Sequence, residues 1–332
     1  MRDRRHAGGP DWACPARSRR ELRILGLRES VKGTRPVALL NPPALRPSGI
    51  VTIVRYLDKQ RGQSDSEERL IATLAPSSLK GDPAADVTAN LRAAIELGLI
   101  ERSGDRVGLP ERIPTALGGA DSPLVEELRK RVFDEKLNVA PWRSQVGARD
   151  LTNALSWFLM LPAAEVPTTM EGPDRSVEAL QGRDFGPRQE EGESSNWPIN
   201  NASRWIPFRR WACTLGLAWV NPQGHAVPDP TPAIRDVLPT VFGGDRELAA
   251  NEFVDAVARC IPVLDGGRYR QFVMANWQRP PAQNEQLTGP LTDALDRLHG
   301  EGVIRLDDRA DAARVAKAGG ATFSHVRYGA TQ

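Results

Sequence analysis

A short pattern occurs twice in this chain and constrains its fold more than any other feature. Ala94-Ile95-Glu96-Leu97-Gly98-Leu99-Ile100 closes one apolar-periodic segment, and Ala212-Cys213-Thr214-Leu215-Gly216-Leu217-Ala218 closes another, 118 residues later. The copies stay in register further on, with Pro110 and Pro114 opposite Pro228 and Pro232. A looser echo at Leu295 to Arg305 sets Leu295, Gly302 and Ile304 opposite Leu91, Gly98 and Ile100. Glycine just past the last periodic residue signals a helix C-terminus, because a left-handed backbone costs glycine little. An apolar strand, a polar turn and a second strand are expected to follow. That order is how a winged helix-turn-helix ends. The expected fold class is therefore mainly α with small β-hairpins (α+β), built as tandem winged helix-turn-helix modules.

At 332 residues the chain is long enough for two or three domains. The expected boundaries are 1–36, a basic extension; 37–115, a first winged-helix domain; 116–240, a second winged-helix-like domain with bridging helices; and 241–332, a third. In the first module, Ile50, Ile53, Val54 and Leu57 mark a helix over Pro47 to Gln60. Ser66 and Asp82 are the expected N-caps of the next two. Ser103-Gly104-Asp105 is the expected wing turn. The middle segment predicts helices at Ser122–Phe133, Asp150–Leu161, Gly172–Leu180 and Phe208–Leu215. Gly182 to Trp197 reads as an exposed loop, from its Gly, Glu and Ser content. The third module is expected to begin with a helix from Glu247. Helices at Arg268–Trp277 and after Thr288 follow, then a long polar wing over Asp307 to Gly320.

The formal net charge is only +2. Residues 1–35 hold ten Arg or Lys against four acids, so the tail carries +6 and the remainder sums to −4. The remainder is thus not a globally basic body, and any nucleic-acid contact must be a local patch. The tail itself is expected to be a disordered basic extension, or the product of a misassigned start ahead of Val37. Three widely spaced cysteines, Cys14, Cys213 and Cys260, predict neither disulfides nor a zinc site. No apolar run reaches membrane-spanning length, and no signal-peptide core opens the chain, so the expected setting is cytoplasmic with no membrane partner.

A winged helix reads DNA with its third helix, using side chains that reach base edges, and places its wing near phosphates. In the first module the face opposite Val87 and Leu91 carries Ala85, Ala89, Arg92, Ala93 and Glu96 and is poorly cationic, which suits protein packing. In the third, Thr292, Asp293, Asp296 and Arg297 would repel phosphate. Only the second presents Arg209 and Arg210 opposite Phe208, Trp211, Ala212 and Leu215, with Arg204 just before. The expected nucleic-acid-binding residues are therefore Arg204, Arg209 and Arg210, joined by Arg102 and Arg106 on the first wing and Arg305 and Arg327 on the third. The alternative for Arg209 and Arg210 is a solvated face, or pairing with Glu190, Glu191 and Glu193.

Catalytic chemistry needs convergent nucleophiles, bases or metal ligands. His6, His225, His299 and His325 are not spaced with one another, nor with Cys or carboxylates, as a metal site requires. The glycine pairs lack the Lys-Ser/Thr sequel of a phosphate loop. No enzyme signature, cofactor or metal is expected.

Asn41-Pro42-Pro43 leading into Ile50-Val51-Thr52-Ile53-Val54-Arg55-Tyr56-Leu57 resembles the start of the bacterial DpdG family, and the closing Phe323-Ser324-His325-Val326-Arg327-Tyr328 is similar to its end. The resemblance implies membership of gene clusters that insert 7-deazaguanine derivatives into DNA and restrict DNA lacking them. It implies an accessory role beside helicase and nuclease partners, and it assigns no catalytic residue. The leading expectation is a non-catalytic adaptor touching duplex DNA weakly and salt-sensitively through the second module and partner proteins through the first. A transcriptional regulator with one operator, and a purely protein-binding scaffold, remain open.

Overall fold

The computed structural model describes residues 37–78, 80–110, 113, 123–192, 194–278 and 286–329, so the expected basic extension lies outside the described residues. Among them are 11 α-helices and several small antiparallel sheets. Helix α1 (Pro47–Asp58) starts on proline, which suits the first helical turn, and buries Ile50, Ile53, Val54 and Leu57. Strand β1 (Ser64–Ser66) follows, then α2 (Glu67–Leu74), whose Ser66 cap accepts from the Arg69 backbone N–H at 3.2 Å. Asp82 caps α3 (Pro83–Glu96) through the Ala85 N–H at 3.0 Å. Strands β2 (Glu101–Ser103) and β3 (Arg106–Gly108) form the hairpin, and β1 adds to it in the order β1-β3-β2. The Ser64–Ser66 strand was not among the expected elements: it has no strand-forming composition, and its pairing partner lies forty residues on.

The middle segment holds α4 (Pro123–Val132), α5 (Arg149–Phe158), α6 (Val177–Phe185), the small hairpin of β4 (Glu190–Glu191) and β5 (Ser194–Ser195), α7 (Ala202–Thr214), and the hairpin of β6 (Ala218–Val220) and β7 (Ala226–Pro228). The expected loop at Gly182–Trp197 is exposed over Pro187–Gly192 but packed at both ends. Helix α6 runs on to Phe185, and Asp184, Phe185, Ser195, Asn196 and Trp197 are buried. Hydrogen bonds explain this burial: Trp157 donates to Asp184 at 2.9 Å, Trp197 to the Gly186 carbonyl at 2.9 Å, and Asn196 to the Phe185 carbonyl at 3.2 Å. Polar composition concealed a network that is buried because it is satisfied.

Next come α8 (Thr231–Phe242), β8 (Glu247–Ala249), α9 (Ala250–Cys260), α10 (Arg268–Met274), α11 (Gly289–Gly300), β9 (Ile304–Asp307), β10 (Val315–Ala316), β11 (Thr322–Phe323) and β12 (His325–Tyr328). Their main sheet is ordered β8-β12-β9, with the last strand central, as in the first module. Helix α8 was not among the expected elements; Pro232 occupies its first turn, where the missing N–H costs nothing, and Pro239 lies inside it. Residues 231–328 thus repeat the helix–strand–helix–helix–strand–strand order of residues 47–108, with α10 and the β10–β11 hairpin inserted. The buried side chains from Leu39 to Val326 form one continuous hydrophobic cluster. No helix among the described residues is long and apolar enough to cross a membrane.

The recurrent glycine does the same work three times. Gly98, Gly216 and Gly302 have φ of 67°, 70° and 72°. Each end closes with the same two hydrogen bonds: Gly98 and Leu99 to the carbonyls of Ile95 and Ala94, Gly216 and Leu217 to Cys213 and Ala212, Gly302 and Val303 to His299 and Leu298. This is the Schellman arrangement, which needs a left-handed residue at that position. Two of the three ends receive an arginine of α4. A Cβ on Gly98 would lie 2.9 Å from Arg131, and one on Gly216 would lie 3.4 Å from Arg129. Arg129 donates to the Leu215 carbonyl at 2.9 Å and pairs with Asp236 at 2.7 Å. A guanidinium on the last carbonyls of a helix complements its negative end.

Candidate nucleic-acid interface

Helix α7 carries the three arginines singled out in the middle segment, and the structure divides them. Arg204 is only 7 % exposed and pairs with Asp150, itself 1 % exposed, at 3.1 Å. The Asp150 carboxylate also accepts the N–H of Leu40 at 2.9 Å and of Leu151 at 2.7 Å. Burial pushes the Asp150 carboxyl above the ordinary carboxylate range, against the pull of Arg204 and of these N–H groups. This pair, with the Trp211 indole donating to the Leu39 carbonyl at 3.0 Å, fastens the Leu39–Asn41 segment to the middle of the chain. Arg204 is a core residue, and the expectation that it meets DNA is corrected.

Arg209 is half-buried and donates to the Gly224 carbonyl, which ties the helix to the β6–β7 turn. Arg210 is exposed, with one long hydrogen bond of 3.4 Å to the Pro43 carbonyl. Both line an open groove of about 550 Å³ between α7 and the start of α1. Arg46 stands on the opposite side of that groove, with Ser48, while Ile206 and Val220 supply apolar wall and are 51 % and 45 % exposed. Arg46 is held there by its backbone: its N–H donates to Asn90 of α3 at 2.8 Å, and Asn90 also donates to the Ala44 carbonyl at 3.2 Å. Gly49 permits this approach, since a Cβ there would sit 2.6 Å from Asn90. Sequence reasoning missed Arg46, because nothing local marks a residue that only tertiary packing brings opposite Arg209 and Arg210. Among the described residues neither Arg46, Arg209 nor Arg210 forms an ion pair.

The wing arginines differ. Arg102 pairs with Glu67 at 2.7 Å, and Arg106 donates to the Ser64 hydroxyl at 2.9 Å. Arg305 pairs with Asp307 at 2.9 Å, and Arg327 with the same carboxylate at 2.5 Å. Burial works against that charge, but the hydrogen bonds from Arg327 and Arg305 prevail and hold the Asp307 carboxyl below its usual range. The remaining cations of the third wing are also engaged: Arg309 by Glu247, Arg314 by Asp308 and Lys317 by Asp296. The segment between β9 and β12 folds back over α11. The Ala318 N–H donates to Thr292 at 2.9 Å, so Thr292, expected on an open face, is buried. In the first module Ala93, also expected on the open face, is buried, and Glu96 accepts the Val37 N–H at 2.7 Å. The alternative partners Glu190 and Glu191 do not reach Arg209 or Arg210; Glu190 binds Arg188 and Asn200 instead.

No curated protein and no solved structure matches the chain. A family model described as DpdG-like matches residues 37–312. The match includes the Asn41–Leu57 stretch that carried the resemblance and ends before the closing Phe323–Tyr328. With most of its length matched from Val37 onward, the chain belongs to the DpdG-like family.

Proposed function

We propose that this chain is a non-catalytic accessory protein of a 7-deazaguanine DNA modification and restriction system, and that it touches duplex DNA at the groove of Arg46, Arg209 and Arg210. In this reading residues 47–108 and 231–328 are winged helices that serve as frames, and protein partners of the helicase or nuclease kind dock elsewhere on the chain. The observation that carries the DNA contact is a contrast in pairing. The groove arginines have no carboxylate partner among the described residues, whereas the cations of the third wing all do. Unpaired arginines converging on an open groove suit phosphate, and their attraction is sequence-independent and salt-sensitive. The accessory role rests on the sequence, where no histidine, cysteine or acidic pair has catalytic spacing.

The test is a titration of the full chain onto a duplex over a range of salt. Each phosphate contact contributes about 0.9 to the slope of log affinity against log salt, so Arg209→Ala with Arg210→Ala should flatten it by about 1.8. An unchanged slope refutes the groove. No duplex binding at low salt would leave the protein-binding scaffold, and a tight preference for one operator would favour a regulator.

A further inference from the structure

A second cleft, of about 470 Å³, opens between α4, the turn that follows it, α8 and the α9–α10 connection. Its volume lies in the range of small-molecule sites, about 300–1,000 Å³. Phe133, Val237 and Pro262 give it an apolar wall. Its charged residues do not cancel. Glu126 is taken by Lys130 at 2.7 Å and Glu135 by Arg268; Asp134 accepts the Lys136 backbone N–H at 2.9 Å and keeps its charge, one carboxylate against the two cations that remain. Arg259 and the Lys136 ammonium are left without an acidic partner among the described residues, both exposed and both lining the cleft. Cys260 lies beside Arg259 and Lys130, and burial pushes its thiol up, so it adds no negative charge. Arg259, Pro262 and Arg268 also line an adjoining hollow of about 310 Å³.

We propose that this cleft binds a phosphorylated small molecule of nucleotide size, its phosphoryl group between Arg259 and Lys136 and its body against the Phe133–Pro262 wall. Two unpaired cations lining an apolar-walled cleft match one phosphoryl group carried on an uncharged body. A polyanion would call for a row of such cations, as phosphate after phosphate must be met. The groove at Arg210 is a separate place, lined by none of the same residues.

Calorimetric titration of the full chain with AMP, inorganic phosphate and adenosine tests this. AMP should bind, with phosphate and adenosine each at least about tenfold weaker, because each makes half of the contacts. Arg259→Ala and Lys136→Ala should each weaken AMP about tenfold, the usual effect of losing one charge-assisted hydrogen bond. Both side chains are exposed and outside ion pairs, so unchanged melting temperatures should show the variants folded. Arg209→Ala with Arg210→Ala should leave AMP binding as it was. No heat from AMP or phosphate at millimolar concentration overturns the proposal. So does AMP binding that survives Arg259→Ala with Lys136→Ala, or that is lost with the Arg209 and Arg210 variants.

Discussion

Arg204→Ala separates a stability role from a binding role at one position. The side chain is 7 % exposed and its partner Asp150 is 1 % exposed, so the substitution strands a buried carboxylate. Removing one member of a buried pair costs about 3–5 kcal/mol. Asp150 keeps the N–H donors of Leu40 and Leu151, which places the expected loss near the low end of that range. At about 2–4 °C per kcal/mol for domains of this size, the melting temperature should fall by roughly 6–12 °C. The loss should also depend on pH. Asp150 already has a raised pKa in the folded protein, and without Arg204 it rises further. Between the unfolded and folded pKa values the native state holds a proton that the unfolded state has released, so stability falls as pH rises. The variant should therefore lag furthest at neutral pH and recover toward wild type as the pH is lowered. Differential scanning calorimetry from pH 5 to 7.5 measures both effects. A gap under about 2 °C at neutral pH, or one that widens on acidification, would refute the buried pair as the role of Arg204. A flattened salt slope for duplex binding at unchanged melting temperature would return Arg204 to the interface.

Two further outcomes follow from the same geometry. Alanine at Gly216 and at Gly302 meets a left-handed backbone in both cases, which costs about 1–2 kcal/mol. Only at Gly216 would the new Cβ also press on the Ala233 nitrogen at 3.1 Å and Pro232 at 3.2 Å, while nothing lies within 4 Å at Gly302. Urea unfolding should therefore rank Gly216→Ala as the more damaging, and equal losses would refute the close packing of that cap. Arg305→Ala with Arg327→Ala should leave the salt slope of duplex binding unchanged, because both side chains already serve Asp307; a slope flattened as much as by the α7 variants would show that ion pairing does not decide which arginines meet DNA.

The parts of the fold legible in the sequence were those governed by local chemistry. Gly98, Gly216 and Gly302 announced helix ends because a Schellman cap needs a left-handed residue, and Asp82 and Ser66 announced starts because their side chains satisfy free N–H groups. What stayed hidden was set by partners distant in the chain. Ser64–Ser66 is a strand only because β3 pairs with it, and α8 is a helix through two prolines because its apolar face packs on α9 and α11. The candidate site divided along the same line. Helical periodicity placed Arg209 and Arg210 away from the stripe of Phe208 and Trp211, but it could not tell that Arg204 meets Asp150, fifty-four residues earlier.

Charge pairing, more than charge count, selects the candidate interface. A tally of cations favours the third wing, where Arg305, Arg309, Arg314, Lys317 and Arg327 crowd together. Each of these already faces a carboxylate, so an arriving phosphate would compete with a partner held in place at no loss of translational freedom. The groove beside α7 has fewer cations but no such competitor among the described residues, and Asn90 fixes the backbone of Arg46 before any ligand arrives. Preorganised and unpaired charge is worth more to an incoming anion than abundant charge already neutralised. On that ordering a formal charge of only +2 for the chain does not count against the proposed groove, because a local patch and not the total charge meets an anion.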